Sequence, residues 1–398
     1  MRVKRYLGFI KRSALKLITM PLVGSIVLIK PLIHFRFGNL RSERFGHFSS
    51  DVEVYLLIKE ESPSLKCVDI IGCPEPVCNR QLQKMWGRTF RIAPFAWLWG
   101  RLEQELKKWT GGDHFSVPLL GHLYEYPLLF STTPRLSFSE DEMRFGQELQ
   151  QKLGIPLGAP WFCIHNRDSA YLDQYIGEQN WAYHDYRDFS PESMMLASEE
   201  LVRLGYFAVR IGSHATEKLV TKNSHIIDYC FSSLRSDFLD IYLMAHCVAF
   251  LGSDSGISSG PLIFRKPCHI INFSLTLMNV LTHYNPWPFI PKHLFQKEEG
   301  RFLSLHEIFE AGLYKVSESQ KFLDAGVEVI SNTPEEIRDL ALEADARIKG
   351  NWQEHPEDES LQDLFWEIFR RYASDKDLGN IKPCIGAAFL KQHQYLLH

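Results

Sequence analysis

Two apolar segments of this sequence each end abruptly in polar side chains that could do chemistry. The first, 161–164, is followed at once by His-Asn-Arg-Asp at 165–168. The second, 248–251, is followed by Gly-Ser-Asp-Ser-Gly at 252–256. A buried strand that ends in polar residues is typical of an open α/β sheet, whose ligands bind outside the carboxyl ends of its strands. We therefore predict that the functional site lies between these two strand ends.

The residue types around the predicted site favour an anionic ligand. Arginine binds phosphate oxygens through paired hydrogen bonds, and the turn 252–260 offers glycine N–H groups and four hydroxyls before a predicted helix, which suits an anion at a helix N-terminus. Neither G-x-G-x-x-G nor the P-loop motif occurs. A nucleoside diphosphate that departs during a transfer reaction remains, because cations stabilise its developing charge. The cationic or potentially cationic candidates are Arg44, His47, His165, Arg167, Arg210 and Arg235.

Each candidate also has an ordinary structural interpretation. Arg167 could form an ion pair with a neighbouring aspartate, and His165 could be a hydrogen-bonded core residue. Asp254 could cap the next helix, because aspartate is a favoured N-cap residue. The segment 44–47 could be a surface turn, and 235–240 could be a plain helix start. The sequence leaves these alternatives open.

Several classes of protein are disfavoured. The G-x-S-x-G elbow of α/β-hydrolases is absent. The only Asp-x-Asp sequence, which metal-dependent glycosyl transfer would use, lies at 375–377 in a polar tail. No C-x-x-C occurs, and Cys73 and Cys78 have no nearby histidine to complete a zinc site. The net charge of −4 argues against a nucleic-acid partner. We therefore expect no bound metal, no cofactor and no nucleic acid.

The length of 398 residues favours two domains. We predict a first α/β domain over 37–153, with strands at 52–59 and 67–71. A capping box at Ser139 predicts a helix that ends near residue 153. The aromatic segment 81–110 indicates a large core or a helical face, with an acceptor-binding surface as the alternative.

A Gly- and Pro-rich linker at 154–160 opens the second predicted domain, 154–330. Strands alternate with helices there, which implies a mostly parallel sheet. After the second domain, residues 331–398 are predicted to form helices that pack back on the domains. The strands predicted in the second domain are 161–165, 206–211, 248–251 and 268–273.

Residues 1–36 differ from the rest because they contain eight Lys or Arg and no acidic residue. Their apolar run, 17–33, is broken by Pro21 and Pro31. A signal peptide would need a small-residue cleavage site after the apolar run, and no suitable one follows it. A membrane-spanning helix needs about 20 apolar residues, and this run is shorter. The pattern fits a basic amphipathic arm on an anionic membrane surface better. The alternative is an arm that packs on its own domain. We expect a cytoplasmic protein peripherally associated with the inner face of the cell membrane.

The motifs resemble those of a known superfamily. His165-Asn166-Arg167 resembles the His-x-Arg motif of the protein O-fucosyltransferase and α-1,6-fucosyltransferase superfamily, and 235–256 resembles its later sugar-nucleotide motif. Over residues 37–330 the arrangement is more closely similar to a bacterial glycosyltransferase family of surface-polysaccharide biosynthesis. The turn 254–256 is similar to that of heptosyltransferases, without their Gly-Pro-x-His continuation. The segments that carry the closer similarity are Arg44-Phe45-Gly46-His47, 165–171, His184-Asp185-Tyr186-Arg187, Arg210-x-Gly212 and 252–256.

This resemblance implies a GT-B fold, in which two Rossmann-like domains face each other across a cleft. It implies no bound metal, an acceptor domain at 37–153 and a sugar-nucleotide domain at 154–330. Arg167 would contact the donor diphosphate, with His165 and Asp168 as further catalytic candidates. The donor-binding residues would be Arg44, Gly46, His47, Arg210, Gly212, Asp237, Ser253, Asp254, Ser255 and Gly256.

The leading hypothesis is a metal-independent glycosyltransferase that moves a sugar from a nucleotide-sugar donor to a cell-surface or lipid-linked glycan. Asp168, Glu43 and His47 are candidates for the general base, which must reach the acceptor hydroxyl. One alternative is a sugar-nucleotide 2-epimerase of the same fold. Another is a non-catalytic scaffold in polysaccharide assembly, which would act through the arm and the aromatic segment.

Overall fold

The chain forms two compact units, Met1–His122 and Leu123–His398. Each unit contains a sheet of parallel strands with helices between them in the sequence, so the predicted α/β class is confirmed. The second unit holds a parallel six-stranded sheet. The computed structural model describes residues 19–61, 67–119, 128–168, 182–213, 215–278, 281, 285–373 and 381–398.

The first unit is built on two parallel strands, β1 (His34–Asn39) and β2 (Cys67–Gly72). Single parallel bridges extend this pair, from Phe37 to Ser116 and from Gly72 to Ala93. A π-helical turn over His47–Asp51 leads into the second helix. The helices of this unit are α1 (19–29), α2 (Val52–Glu61), α3 (Arg80–Thr89) and α4 (Ala96–Thr110).

The strand predicted at 52–59 is wrong, because these residues form helix α2. Parallel neighbours such as β1 and β2 need a long crossover connection, which is usually a helix. Helix α2 lies in that crossover. Its buried residues include Val52, Val54, Tyr55 and Leu57. Over part of the segment their spacing of two residues is that of a strand, so the sequence does not show the 3.6-residue period of a helix.

The described part of the N-terminal segment packs on its own unit. Residues 1–18 lie outside the described residues, and the segment predicted as an arm ends inside β1. Helix α1 buries Val23 in a core with Phe37, Leu102, Leu106 and Phe115, as the packing alternative predicts. Nearby, Leu28 is 82% exposed and Leu32 is 72% exposed. In the described part of the chain, we find no helix that is both long enough and apolar enough to span a bilayer.

The second unit contains a six-stranded parallel sheet in the order β5-β4-β3-β6-β7-β8. The chain runs outward from β3 through β4 to β5, and then returns to the other side of β3 to form β6, β7 and β8. This reversal makes the space between β3 and β6 a topological switch point. The strands are β3 (Trp161–His165), β4 (Phe207–Arg210), β5 (Ile226–Asp228), β6 (Ala249–Gly252), β7 (Cys268–Phe273) and β8 (Phe289–Pro291).

A small antiparallel sheet and the remaining helices complete this unit. The sheet has the order β10-β9-β11 and consists of β9 (His293–Gln296), β10 (Arg301–Phe302) and β11 (Val327–Ile330). The helices are α5 (Leu128–Ser131), α6 (Glu140–Lys152), α7 (Met195–Arg203), α8 (Asp237–His246), α9 (Ser259–Ile263), α10 (Leu305–Glu310), α11 (Ser319–Asp324), α12 (Pro334–Ile348), α13 (Pro356–Tyr372) and α14 (Ala387–Gln392).

The boundary between the units falls at residue 122 rather than at the predicted linker, so helix α6 lies in the second unit. The reason is its packing against α8. The rings of Phe145 and Phe238 lie 5.0 Å apart between centroids. The Tyr242 hydroxyl donates to Gln150 Oε1 at 3.2 Å. The capping box predicted at Ser139 is confirmed at the start of this helix.

We predict that Gly146→Ala destabilises the second unit. A Cβ at this position would overlap the ring of Tyr242, and overpacking of this kind costs about 1–3 kcal/mol. The matched control is Gln147→Ala, which introduces the same side chain at the next, exposed position of α6 and should change the unfolding free energy by less than about 0.5 kcal/mol. Chemical denaturation of both variants measures the difference. Equal stability of the two would contradict the described packing of α6 on α8.

Candidate functional site

The carboxyl ends of β3 and β6 are direct neighbours, as the sequence predicts. His165 lies opposite Gly252 in the sheet register, and the Ser253 N–H donates to the His165 carbonyl oxygen at 3.1 Å. A Cβ on Gly252 would lie 2.6 Å from that carbonyl oxygen, so glycine is required for the two strands to approach this closely. The polar segments that follow both strands are thereby held at one edge of the sheet.

Three cations and two carboxylates meet at this edge and form what we call the cation cluster. Arg167, after β3, forms an ion pair with Asp188. Arg187 contacts the backbone oxygen of Asp254 and lies 3.4 Å from its Oδ1. Lys292, after β8, donates from Nζ to the Asp188 carbonyl oxygen at 2.7 Å. With all five side chains ionised, the cluster carries three positive and two negative charges and so a net charge of +1.

Burial makes each charge in the cluster costly. Burial raises the pKa of Asp188 to about 6, because its effect is larger than the opposing effect of Arg167. It also raises the pKa of Asp254, against the effect of Arg187. For Lys292, burial lowers the pKa to about 8, although Asp254 and Asp188 oppose this. A partly desolvated site with excess positive charge attracts an anion more strongly than the same charges would in water.

Asp254 links two strand ends and does not cap the helix that follows. Its Oδ2 accepts a hydrogen bond from the backbone N–H of Ser274, directly after β7, at 3.4 Å. The helical segment after the turn is short, with a 3₁₀ turn at Gly256–Ser258 and then α9, which has five residues. Anion binding at this short helical segment stays a prediction, and the cation cluster supplies further positive charge at the same edge of the sheet.

The serines of the same turn lie beside the cluster. Ser253 is fully buried, and its hydroxyl lies 3.4 Å from that of Ser255. Ser255 in turn accepts a hydrogen bond from the Ser258 hydroxyl at its carbonyl oxygen, at 2.8 Å. Gly256 is exposed. Their predicted contact with a donor stays a prediction.

His165 is not one of the cations. Its Nδ1 is 2.9 Å from the Ile211 carbonyl oxygen, an acceptor, so Nδ1 carries the proton of the neutral ring. Burial lowers the pKa of His165 to about 4, which keeps the ring neutral near pH 7. Gly212 lies against this ring, because a Cβ there would be 3.7 Å from His165 Nδ1 and 3.1 Å from Cys230 Sγ. Asp168 accepts hydrogen bonds from the Thr216 N–H at 2.9 Å and from its hydroxyl at 3.3 Å.

Arg210, predicted to bind the donor, is buried with 1% of its surface exposed. Its Nε donates to Asn166 Oδ1 at 2.9 Å, and its Nη1 donates to the Glu217 carbonyl oxygen at 2.7 Å. Its Nη1 also lies 3.4 Å from Asp228. In this arrangement Arg210 orients the segment after β3 and does not face solvent.

The group at 235–240 forms an ordinary helix start. Ser236 caps α8 by accepting a hydrogen bond from the Leu239 N–H at 3.2 Å. Arg235 Nη2 lies 3.2 Å from Asp240 Oδ2, and burial raises the pKa of Asp240 to about 6 despite this arginine. Asp237 lies in the first turn of α8, and its role in donor binding stays a prediction.

The candidates of the first unit lie at the start of a helical segment, with Arg44 in the bend before it and His47 in its π-helical turn. Arg44 accepts a backbone hydrogen bond from Phe48 at 2.9 Å, and Gly46 has a helical φ of −57°. His47 Nδ1 lies 2.8 Å from Asp51 Oδ2, an arrangement that orients an imidazole. Their contact with a donor stays a prediction. Of the other base candidates, Glu43 lies 3.6 Å from Arg41 in the same unit.

Sequence reasoning missed three members of the cation cluster. Arg187 belongs to a segment that carries the family resemblance, but neither it nor Asp188 was predicted as a site residue. Lys292 directly follows β8, an apolar strand that ends in a charge, and this is the signal that identified the segment after β3. Residues 169–181 and the side chain of His184, which also carry the resemblance, lie outside the described residues.

Comparisons with known proteins give weak structural similarities. No protein-family model matches the chain, and no curated protein matches its sequence. A glycosyl transferase of family 9 from Veillonella parvula DSM 2008 is similar, with a TM-score of 0.33 and 9% identity, over 60% of this chain and 80% of that one. The ADP-heptose LPS heptosyltransferase II of E. coli is similar, with a TM-score of 0.32 and 12% identity, over 59% of this chain and 84% of that one.

We predict that Asp188→Asn strengthens binding of inorganic pyrophosphate at pH 8, by at least about tenfold. It removes a carboxylate that competes for Arg167, and charges about 4 Å apart near a protein surface interact by about 4 kcal/mol. Near pH 5 the native protein should bind almost as tightly as the variant, because Asp188 with its pKa of about 6 is then largely protonated. Calorimetric titration at both pH values measures this.

The control for this experiment is Asp363→Asn, which removes an exposed carboxylate of α13, outside the cation cluster. Folding stability gives a second readout. Because the folded-state pKa of Asp188 is raised, its stabilising contribution is full below about pH 4 and is lost as the pH rises through about 6. A difference in affinity that is the same at pH 5 and pH 8 would contradict the role of Asp188.

Proposed function

We propose that this protein is a metal-independent glycosyltransferase of the GT-B class and that the cation cluster binds the diphosphate of its nucleotide-sugar donor. The observation that carries the proposal is the position of Arg167, Arg187 and Lys292 at the switch point of a parallel sheet, where open α/β sheets bind ligands. The motif resemblance of 165–171 and 252–256 supports a sugar nucleotide as the source of that diphosphate.

The proposed reaction explains why the site needs cations. The acceptor hydroxyl oxygen bonds to the anomeric carbon while the bond from that carbon to the phosphate oxygen breaks. The bonding electron pair stays on the phosphate oxygen, and the hydroxyl proton passes to a general base, for which Asp168, Glu43 and His47 remain the candidates. Arg167, Arg187 and Lys292 stabilise the charge that develops on the leaving diphosphate, so the step requires no divalent ion.

We also propose that the acceptor is a cell-surface or lipid-linked glycan and that the protein works at the cytoplasmic face of a bacterial cell membrane. The eight basic residues of 1–36 would attract anionic lipids. The exposed side chains of Leu28 and Leu32 would enter the boundary between headgroups and acyl chains.

If Leu28 and Leu32 enter the membrane surface, Leu28→Asp combined with Leu32→Asp should weaken binding of the protein to anionic vesicles. Phosphatidylglycerol vesicles should sediment the native protein at low salt, phosphatidylcholine vesicles should not, and high salt should reduce the binding. The control is Val220→Asp combined with Leu157→Asp, which adds the same two charges at residues of the second unit that are 92% and 52% exposed. Equal sedimentation of the double variant and the control would contradict this part of the proposal.

The donor class can be identified by thermal shift with UDP, GDP, ADP, dTDP and CMP. Each melt is measured in EDTA and compared with the same EDTA-treated protein without nucleotide. A nucleotide at 100-fold excess over its Kd stabilises the folded protein by about 2.7 kcal/mol. We expect one nucleotide to raise the melting temperature in EDTA, after which the matching sugar nucleotide is used for turnover.

The catalytic part predicts that the double variant Arg167→Ala with Asp188→Asn loses turnover by about 10²- to 10³-fold, the usual effect of removing one group that stabilises developing charge. Both partners are changed because removal of the arginine alone would leave a buried carboxylate unpaired. The control is Arg203→Ala, which removes an exposed arginine paired with Glu200 and should keep full turnover.

The alternatives give different outcomes in the same assay. A 2-epimerase would release free nucleoside diphosphate from the donor without any acceptor. A scaffold would bind nucleotide without turnover of any donor. Full turnover in the double variant would contradict the role of Arg167.

A further inference from the structure

A second group of ionisable side chains lies in the second unit and outside the cation cluster. His293 begins β9, Glu336 lies in the first turn of α12, and His393 follows α14. One potential ligand atom from each lies within 4.8 Å of the others. The Nε2 atom of His293 is 3.0 Å from Glu336 Oε1, and the Nε2 atom of His393 is 2.5 Å from the same oxygen. Two imidazole nitrogens and one carboxylate oxygen therefore lie close enough together to share one ion.

The charge of Glu336 requires compensation, because this residue is only 4% exposed. Among the described residues its carboxylate contacts His293, His393 and the Thr333 N–H, and neither lysine nor arginine. A buried carboxylate is costly unless a positive charge or several hydrogen bonds balance it. Hydrogen bonds from the two imidazoles and the Thr333 N–H supply part of this balance, and a bound cation would supply the rest.

The atoms and their surroundings match the chemistry of a transition-metal site. Imidazole nitrogen and carboxylate oxygen are both ligands of Zn²⁺, and three protein ligands leave a further position for water. Two further polar atoms of these ligands, His293 Nδ1 and Glu336 Oε2, contact groups outside the proposed ligand set, as outer hydrogen-bond partners do at metal sites. The Tyr395 hydroxyl lies 2.8 Å from His293 Nδ1, and Glu336 Oε2 accepts from the Thr333 N–H at 2.9 Å.

Aromatic rings enclose the same position. The ring of Phe389 lies 5.3 Å from that of His293 and 4.6 Å from that of His393, measured between centroids. Phe302 lies 5.2 Å from His293. An apolar wall of this kind limits the access of water to a bound ion and strengthens its interaction with the ligands.

We infer that His293, Glu336 and His393 bind one divalent transition-metal ion of the zinc class. Its role is structural, because it ties the turn that follows α14 to the small sheet and to the start of α12. The ion binds the neutral form of each imidazole through Nε2, and the single ring proton then resides on Nδ1. This inference departs from the expectation that the protein binds no metal. It does not depend on the proposed function, whose cation cluster requires no divalent ion.

The first test is metal binding by the full-length native chain, purified without a metal-chelating tag. After incubation with ZnCl₂ and desalting, elemental analysis should find one zinc ion per chain. Titration of the apo protein with Co²⁺ should give the visible d–d absorption of a low-coordinate site. Native protein that retains no zinc and gives no cobalt spectrum would overturn the inference, whatever any variant does.

Variants assign the site. His393→Gln removes the ligand that is not fully buried and should abolish zinc retention, whereas the control His225→Gln changes an exposed histidine of the same unit and should retain zinc. Tyr395→Phe leaves all three ligands in place and should weaken Co²⁺ binding by about 10- to 100-fold, the usual effect of losing an outer hydrogen bond. EDTA should lower the melting temperature of the native and His225→Gln proteins. Zinc retention by a folded His393→Gln variant equal to that of the control would contradict the assignment.

Discussion

The candidate site depends above all on the parallel pairing of β3 with β6. Because both strands run in the same direction, the segments after His165 and Gly252 emerge at one edge, although they are far apart in the sequence. The order of the strands reverses at this pair, so the connecting segments leave in opposite directions and keep a space open between them. The close approach at Gly252 fixes this geometry. Arg167 and Asp254 are thereby placed at the two sides of that space.

The cation cluster balances two opposing electrostatic effects. Burial disfavours every charge in it, as the raised pKa of Asp188 and the lowered pKa of Lys292 show. The ion pairs of Arg167 with Asp188 and of Arg187 with Asp254 compensate part of this cost. A bound anion would compensate the remaining positive charge. On the proposed function, the donor diphosphate is that anion, at a site without a glycine-rich phosphate loop.

The sequence predicted those parts of the structure that have a local physical signal. Strands β3 and β6 were predictable because an apolar run ends in polar residues, and α6 because Ser139 completes a capping box. Helix α2 has no clear local signal. It is required by the parallel pairing of β1 with β2, which needs a crossover connection and depends on the tertiary fold. Lys292 was missed because β8 is short, has a proline at its end and gives no periodic pattern. The contacts of Arg187 depend on the tertiary fold alone.

His293, Glu336 and His393 form what we call the His–Glu group. This group and the cation cluster meet in one short stretch of chain. Lys292 contacts the first, and the next residue, His293, belongs to the second. Successive side chains of extended chain point to opposite sides, so this stretch can serve both groups. The backbone N–H of Lys292 also donates to the Phe273 carbonyl oxygen at 2.9 Å, which ties it to the end of β7. Order in the His–Glu group therefore helps to fix the position of a cation in the cluster.

A crystal structure of the protein with the nucleoside diphosphate that stabilises it would show directly whether a diphosphate binds where β3 and β6 end. We expect its phosphate oxygens to accept hydrogen bonds from Arg167, Arg187 and Lys292, with no metal ion between them. A diphosphate bound elsewhere in the chain, with Arg167 still paired only with Asp188, would contradict this expectation.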